Sequence, residues 1–145
     1  MPGEPTVVDA SVGLKWVLPE AGSEAARSLR RERVESGAPI YVPDLFWSET
    51  ANALWRLSRG DAAPLPPAQA RELFDALRLA PLRTEPVGPF ADGALAIALA
   101  ADITTYDAAY VALAELVDGR LHTADAALAR KLTGTEWEAR VRLLD

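Results

Sequence analysis

The stretch Thr6-Val7-Val8-Asp9-Ala10-Ser11, TVVDAS, decides how this chain is read. Thr6–Asp9 suits a short buried strand, and the apolar run stops on an acid. Asp9 has two readings there. It can cap a helix that starts near Ser11, or it can be the first ligand of an active site at a strand end. Downstream, SVGLKWVL reads as a helix with Leu14, Trp16 and Val17 turned inward, and PEAGSEAARSLRRERVES as a second helix closed by Gly37. PIYVP, Pro39–Pro43, is a second strand. DLFWSETANALWRLSRG is a helix with Asp44 as its N-cap and Gly60 as its stop. After the Pro/Ala loop Asp61–Gln69 come the helix PAQARELFDALRLA, the weak strand candidate LRTEPV, and the helices GPFADGALAIALAAD and TYDAAYVALAELVDG. The second of these is apolar nearly all round, as a central helix is. RLHTAD is a fourth strand, ADAALARKL a short helix and ARVRLLD a closing strand. Five strands alternating with helices predict an α/β sandwich on a mostly parallel sheet, in one domain over residues 1–145.

Composition narrows the chemistry. Half of the 145 residues are hydrophobic, enough for a core without covalent staples, and there is no cysteine, so disulfides and thiolate metal sites are excluded. The start lacks the basic and apolar regions of a secretory signal, and no apolar run approaches the ~18 residues of a membrane span. A soluble cytoplasmic protein is expected. The formal net charge of −6 argues against a nucleic-acid partner, yet 13 of the 15 basic residues are arginine, the side chain best suited to phosphate. Neither of the two commonest glycine-rich nucleotide loops is present.

Four acids stand where chemistry would stand. Asp9 ends the first strand, Asp125 follows the fourth, and Asp107 opens the central helix. Glu49 lies one turn into the helix after the second strand and reaches the same edge if that helix starts there. Each has a bland alternative: a cap or first-turn acid for the aspartates, a solvated glutamate touching Arg56 for Glu49. Taken together they say more. A pair of carboxylates 4 Å apart costs roughly 4 kcal/mol at an effective dielectric of 20, so several converging acids must protonate or hold a cation. Oxygen-only ligands favour Mg²⁺ or Mn²⁺ over Zn²⁺. About two such ions would bring the net charge to about −2 and remove most of the objection to a nucleic-acid substrate.

VVDASVGLKWVLPE, PDLFWSETANALWRL, ITTYDAAYVALAE and LHTADAALARKL, in that order and at fitting spacings, resemble the PIN-domain nucleases, and more closely the VapC-type toxins of type II toxin–antitoxin systems. The resemblance spans nearly the whole chain. It implies a three-layer α/β/α sandwich with a five-stranded parallel central sheet, and a Mg²⁺-dependent (or Mn²⁺-dependent) endoribonuclease that cuts RNA by metal-activated water. Asp9, Glu49, Asp107 and Asp125 are the implied site acids, with Asp9 and Asp107 as main metal anchors. Thr123 falls at the hydroxyl position beside the metal, and Asn52 at the polar position after the helix glutamate. The family also implies a homodimer and a cognate VapB-like antitoxin.

Other residues are weighed against plainer roles. Ser11 is expected to cap the first helix while Asp9 faces the pocket. Lys15 and Arg56 are the basic residues nearest the motifs and are expected to contact RNA. Arg27, Arg30, Arg31 and Arg33 form a basic run that the interleaved Glu24, Glu32 and Glu35 make a solvated helix face by default, with Arg27, Arg30 and Arg31 spaced to form a phosphate-facing patch instead. His122 reads as structural, Asp102 as a solvated helix end, and Trp16, Trp47 and Trp55 as packing residues, with Trp137 ambiguous. The rival functions are a receiver-like Mg²⁺-binding regulatory domain, a haloacid-dehalogenase-type phosphatase and a non-catalytic PIN-like interaction module. The receiver wants a late lysine near the site, and Lys131 fits poorly. The phosphatase wants an aspartate where Ser11 stands.

Overall fold

A computed structural model describes residues 3–144. Five strands form one parallel sheet in the order β3-β2-β1-β4-β5, with β1 at Thr6–Val8, β2 at Ile40–Pro43, β3 at Leu82–Glu85, β4 at Arg120–Thr123 and β5 at Val141–Leu143. β1 is central and buried throughout, which is why its residues are apolar or β-branched on both faces. The weak candidate LRTEPV is edge strand β3, mostly polar because an edge is only partly covered.

The helices are α1 (Ala10–Lys15), α2 (Ser23–Ser36), α3 (Leu45–Leu57), α4 (Pro67–Arg78), α5 (Ala91–Ala101), α6 (Thr105–Leu116) and α7 (Ala126–Leu132). α6 packs on β1, β2 and β4 and against α5, and Ala108–Ala114 are all buried, as its apolar circumference predicts. α1 meets β1 and β4, with α2 and α3 packed against it. Strand residues of opposite parity feed the helix layers on the two faces.

Three local expectations are corrected. α1 is only six residues long, so Trp16 and Val17 lie beyond its last turn. Trp16 is still buried in the core, where its Nε1 donates to Ala26 O at 2.9 Å. Asp44 occupies the position before α3 in helical conformation and makes no side-chain cap; its Oδ1 instead accepts from Val87 N at 3.3 Å. Ser11 does not cap α1. Asp9 does so itself, accepting from Val12 N at 3.2 Å, and the Ser11 hydroxyl donates to Asp9 Oδ1.

Candidate active site

The parallel sheet brings the carboxyl ends of β1 and β4 together, and the four acids converge there from four elements. A cavity of about 330 Å³ is lined by Asp9, Glu49, Asp107 and Asp125, with Ser11, Tyr110, Ala53 and Arg56 among its other walls. Glu49 reaches it because α3 starts at the same sheet edge and Ala53, one turn on, is too small to block it.

Asp9 is held from three sides. Oδ1 accepts from Ser11 Oγ and Val12 N, and Oδ2 accepts from the hydroxyl of Thr123, which is fully buried on β4. The two hydroxyls are oriented in turn: Ser11 Oγ accepts from Ala124 N at 3.0 Å and Thr123 Oγ1 from Asp125 N at 3.0 Å. The cap and ligand readings of Asp9 therefore coexist. Three donors leave a carboxylate one of its roughly four lone-pair positions, here on Oδ2.

Glu49 does not touch Arg56 by hydrogen bond. Its partner is Tyr110 on α6, whose hydroxyl donates to Oε1 at 2.5 Å. Asp107 sits in the first turn of α6, whose cap Thr104 accepts from Asp107 N at 3.1 Å and whose hydroxyl opposes the upward shift of the Asp107 carboxyl. Asp125 caps α7 through Oδ1, which accepts from Ala127 N and Leu128 N.

Burial raises the pKa of Asp9, and nearby Asp107 adds to it against the pull of three hydrogen bonds. Burial likewise raises Glu49, with the charges of Asp107 and Asp9 adding and the Tyr110 hydrogen bond opposing. Asp107 is raised by burial and then by Asp125. Three acids repelling one another in a partly dry cleft, with unused oxygens on each, fit a hard divalent cation. As the side chains stand, no three acidic or histidine groups among the described residues are gathered tightly enough to grip one ion.

Two expected members are elsewhere. Asn52 is exposed on α3 and is not among the residues that line the cavity. Lys15 is turned away and tied to Glu20 Oε1 at 3.1 Å and Ala21 O at 2.7 Å. Arg56 is at the rim. Tyr110 was missed in the sequence because a tyrosine three residues past Asp107 on an apolar helix reads as core; its i+3 spacing from Asp107 is the signal that puts both on one helix face. Two arginines of the α2 run have local partners: Arg31 pairs with Glu24 at 3.3 Å and Arg30 lies over the Trp16 ring. Asp102 is an exposed helix end paired with Lys131, as expected.

The family model described as PIN domain matches residues 6–132. The chain belongs to the PIN-domain family. Within it the chain resembles the VapC group: it is 37% identical over 130 residues to Ribonuclease VapC3 of Pyrobaculum aerophilum, covering 86% of this chain and 92% of that protein. The crystal structure of PAE2754 from Pyrobaculum aerophilum superposes with a TM-score of 0.63 at 27% identity, over 91% of this chain and 82% of that one. Mycobacterium tuberculosis VapC20, described as a Sarcin-Ricin loop cleaving toxin, shares the fold with a TM-score of 0.64 at 16% identity, over 86% of this chain and 93% of that one. The PIN fold explains the shape of the acidic cleft. A second, more apolar cavity of about 400 Å³ between α3 and α4, lined by Leu54, Trp55, Ala70 and Phe74, contains none of the four acids.

Proposed function

We propose that this PIN protein is a Mg²⁺-dependent endoribonuclease acting as the toxin of a type II toxin–antitoxin pair, with Mn²⁺ as an alternative ion. One observation carries the reading: Asp9, Glu49, Asp107 and Asp125 line one cleft, and three of them are pushed toward the protonated form by burial and mutual repulsion. The relationship to a VapC ribonuclease supports RNA as substrate and a VapB-like antitoxin as partner. A homodimer and a cytoplasmic location complete the proposal.

Asp9, Asp107 and Asp125 would hold the cation through oxygens that their own hydrogen bonds leave unused, with Glu49 beside them. A bound divalent ion neutralises the acids and supplies Lewis acidity at the scissile phosphate. The chain's own groups do the rest. Ser11, Val12 N and Thr123 lock the Asp9 carboxylate before substrate arrives, so little reorganisation is left for the reaction. Tyr110 fixes Glu49, whose upward-shifted carboxylate is a stronger base than a free glutamate and suits it to take the proton of an attacking water. Arg56 at the rim offers a guanidinium to the phosphate strand. The test is sequencing of RNA ends after induced expression of the wild type and of Asp9→Asn. New ends at defined sites are expected with the wild type alone; identical end profiles from both would refute the site.

A further inference from the structure

Away from the carboxylate cleft, the half-buried parity of β4 carries Arg120 and His122, while Leu121 and Thr123 are buried on the other side. β5 lies in register with His122 opposite Arg142, so both side chains leave the same face of the sheet. α2 adds Arg33. Its guanidinium is close enough to His122 to be the leading charge acting on the imidazole, followed by Arg142 and Arg120. Burial together with these three charges pushes His122 down to about 4, so the ring is neutral and adds no charge of its own.

The cluster is under-neutralised. Arg120 pairs with Glu4 at 3.2 Å, but among the described residues Arg33 and Arg142 form no ion pair, and the buried Arg33 Nε has no acceptor. Arg120 and Arg142 also line a shallow cavity of about 340 Å³, in which Glu138 is the one acid and is engaged by Gly134 N. In a chain of net charge −6, three guanidinium groups converging on one face cost self-repulsion that an anion relieves. The face lies across the sheet from Thr123, but His122 pairs in register with Val8, one residue before Asp9, so a strand crossing the carboxyl edge of β1 and β4 meets both the cleft and this face.

We infer that Arg33, Arg120 and Arg142, grouped around His122 on the β4–β5 face, form a second contact surface for the phosphate backbone of an RNA strand that also enters the acidic cleft. The inference rests on the ribonuclease reading above. The surface binds without base preference, through charge, and positions RNA without touching the reacting phosphate.

The experiment measures binding of a labelled single-stranded RNA by fluorescence anisotropy in EDTA over a salt series, for the wild type, Arg33→Gln/Arg142→Gln and Arg142→Glu alone. Arg142 is exposed on an edge strand, so its variant keeps the fold even where the Arg33 substitution disturbs α2. Each phosphate contact on a single strand contributes about 0.7 to the slope of log affinity against log salt. The double variant is expected to bind roughly 10-fold weaker with a slope lower by about 1.4, while cleavage in Mg²⁺ shows a raised KM and an unchanged kcat. Arg142→Lys should restore the slope. If the wild type cuts RNA and both variants keep its affinity and slope, the surface is not an RNA contact, whether or not an acidic protein uses it. If the wild type neither binds nor cuts RNA, the ribonuclease reading fails and this inference with it.

Discussion

Asp9 is the residue on which most of the chemistry converges. Its carboxylate is nearly dry, yet it accepts three hydrogen bonds and faces other acids. Replacing it by asparagine removes the buried charge and keeps the shape. Asp9→Asn is therefore expected to melt no lower than the wild type in the absence of divalent ions, and to lose at least about 100-fold in cleavage rate. Calorimetry and a cleavage assay on the same preparation read both. Tyr110 acts one step further out, through Glu49. Tyr110→Phe removes the hydrogen bond that opposes the upward shift of Glu49, so the acidic limb of the pH–rate profile is expected to move to higher pH. The rate should fall about 10- to 100-fold, as it does when groups that orient catalytic ligands are lost. An unmoved acidic limb would assign Tyr110 to packing alone. At this scale the sequence was informative about the acids, because chain order and strand ends locate them. It was misleading for the cap role of Ser11 and for Lys15, whose directions depend on short-range hydrogen bonds: Ser11 to Asp9, and Lys15 to Glu20 and Ala21.

At the scale of elements, the cleft depends on how closely α1 approaches α3. Gly13 makes that approach possible: a Cβ there would fall 2.5 and 2.7 Å from ring atoms of the fully buried Phe46. Gly13→Ala is expected to cost about 1–3 kcal/mol through overpacking and to lower activity by shifting α1, whose N-terminus is anchored by Asp9. Denaturant unfolding measures the first effect; a variant as stable as the wild type would show that the Phe46 ring turns aside freely. The alternation of strands and helices was legible from the sequence, including the polar edge strand β3, because buried runs and Gly/Pro breaks survive in any packing. The end of α1 was not. SVGLKWVL has helical periodicity throughout, but Trp16 is drawn out of the helix to pack against α2 and bond Ala26 O. Asp44 failed as a cap for a similar reason, since the backbone of Val87, more than forty residues away, claims its carboxylate.

For the whole molecule, the acidic cleft ties stability to pH and to divalent ions. Asp9, Glu49 and Asp107 all hold protons more tightly in the fold than in the unfolded chain. Between the ordinary carboxylate range and their raised values, the folded state carries more protons. The unfolding free energy contributed by these groups therefore falls as pH rises through that window and stays low above it. His122 works the other way between about 4 and 6.5, since its folded pKa is depressed and the unfolded chain takes up the proton first. The difference in melting temperature between wild type and Asp9→Asn isolates the cleft from the histidine. It should move in favour of the variant as pH rises from about 4 to 7 without metal. Mg²⁺ should raise the wild-type melting temperature more at pH 7 than at pH 5, and do so much less for the variant. The most direct test of the cleft as a metal-dependent nuclease centre is cleavage of RNA by purified wild type and Asp9→Asn, each in Mg²⁺ and in EDTA. Cleavage by the wild type in Mg²⁺ alone is the predicted result. Equal cleavage by Asp9→Asn, or wild-type cleavage that persists in EDTA, would contradict it.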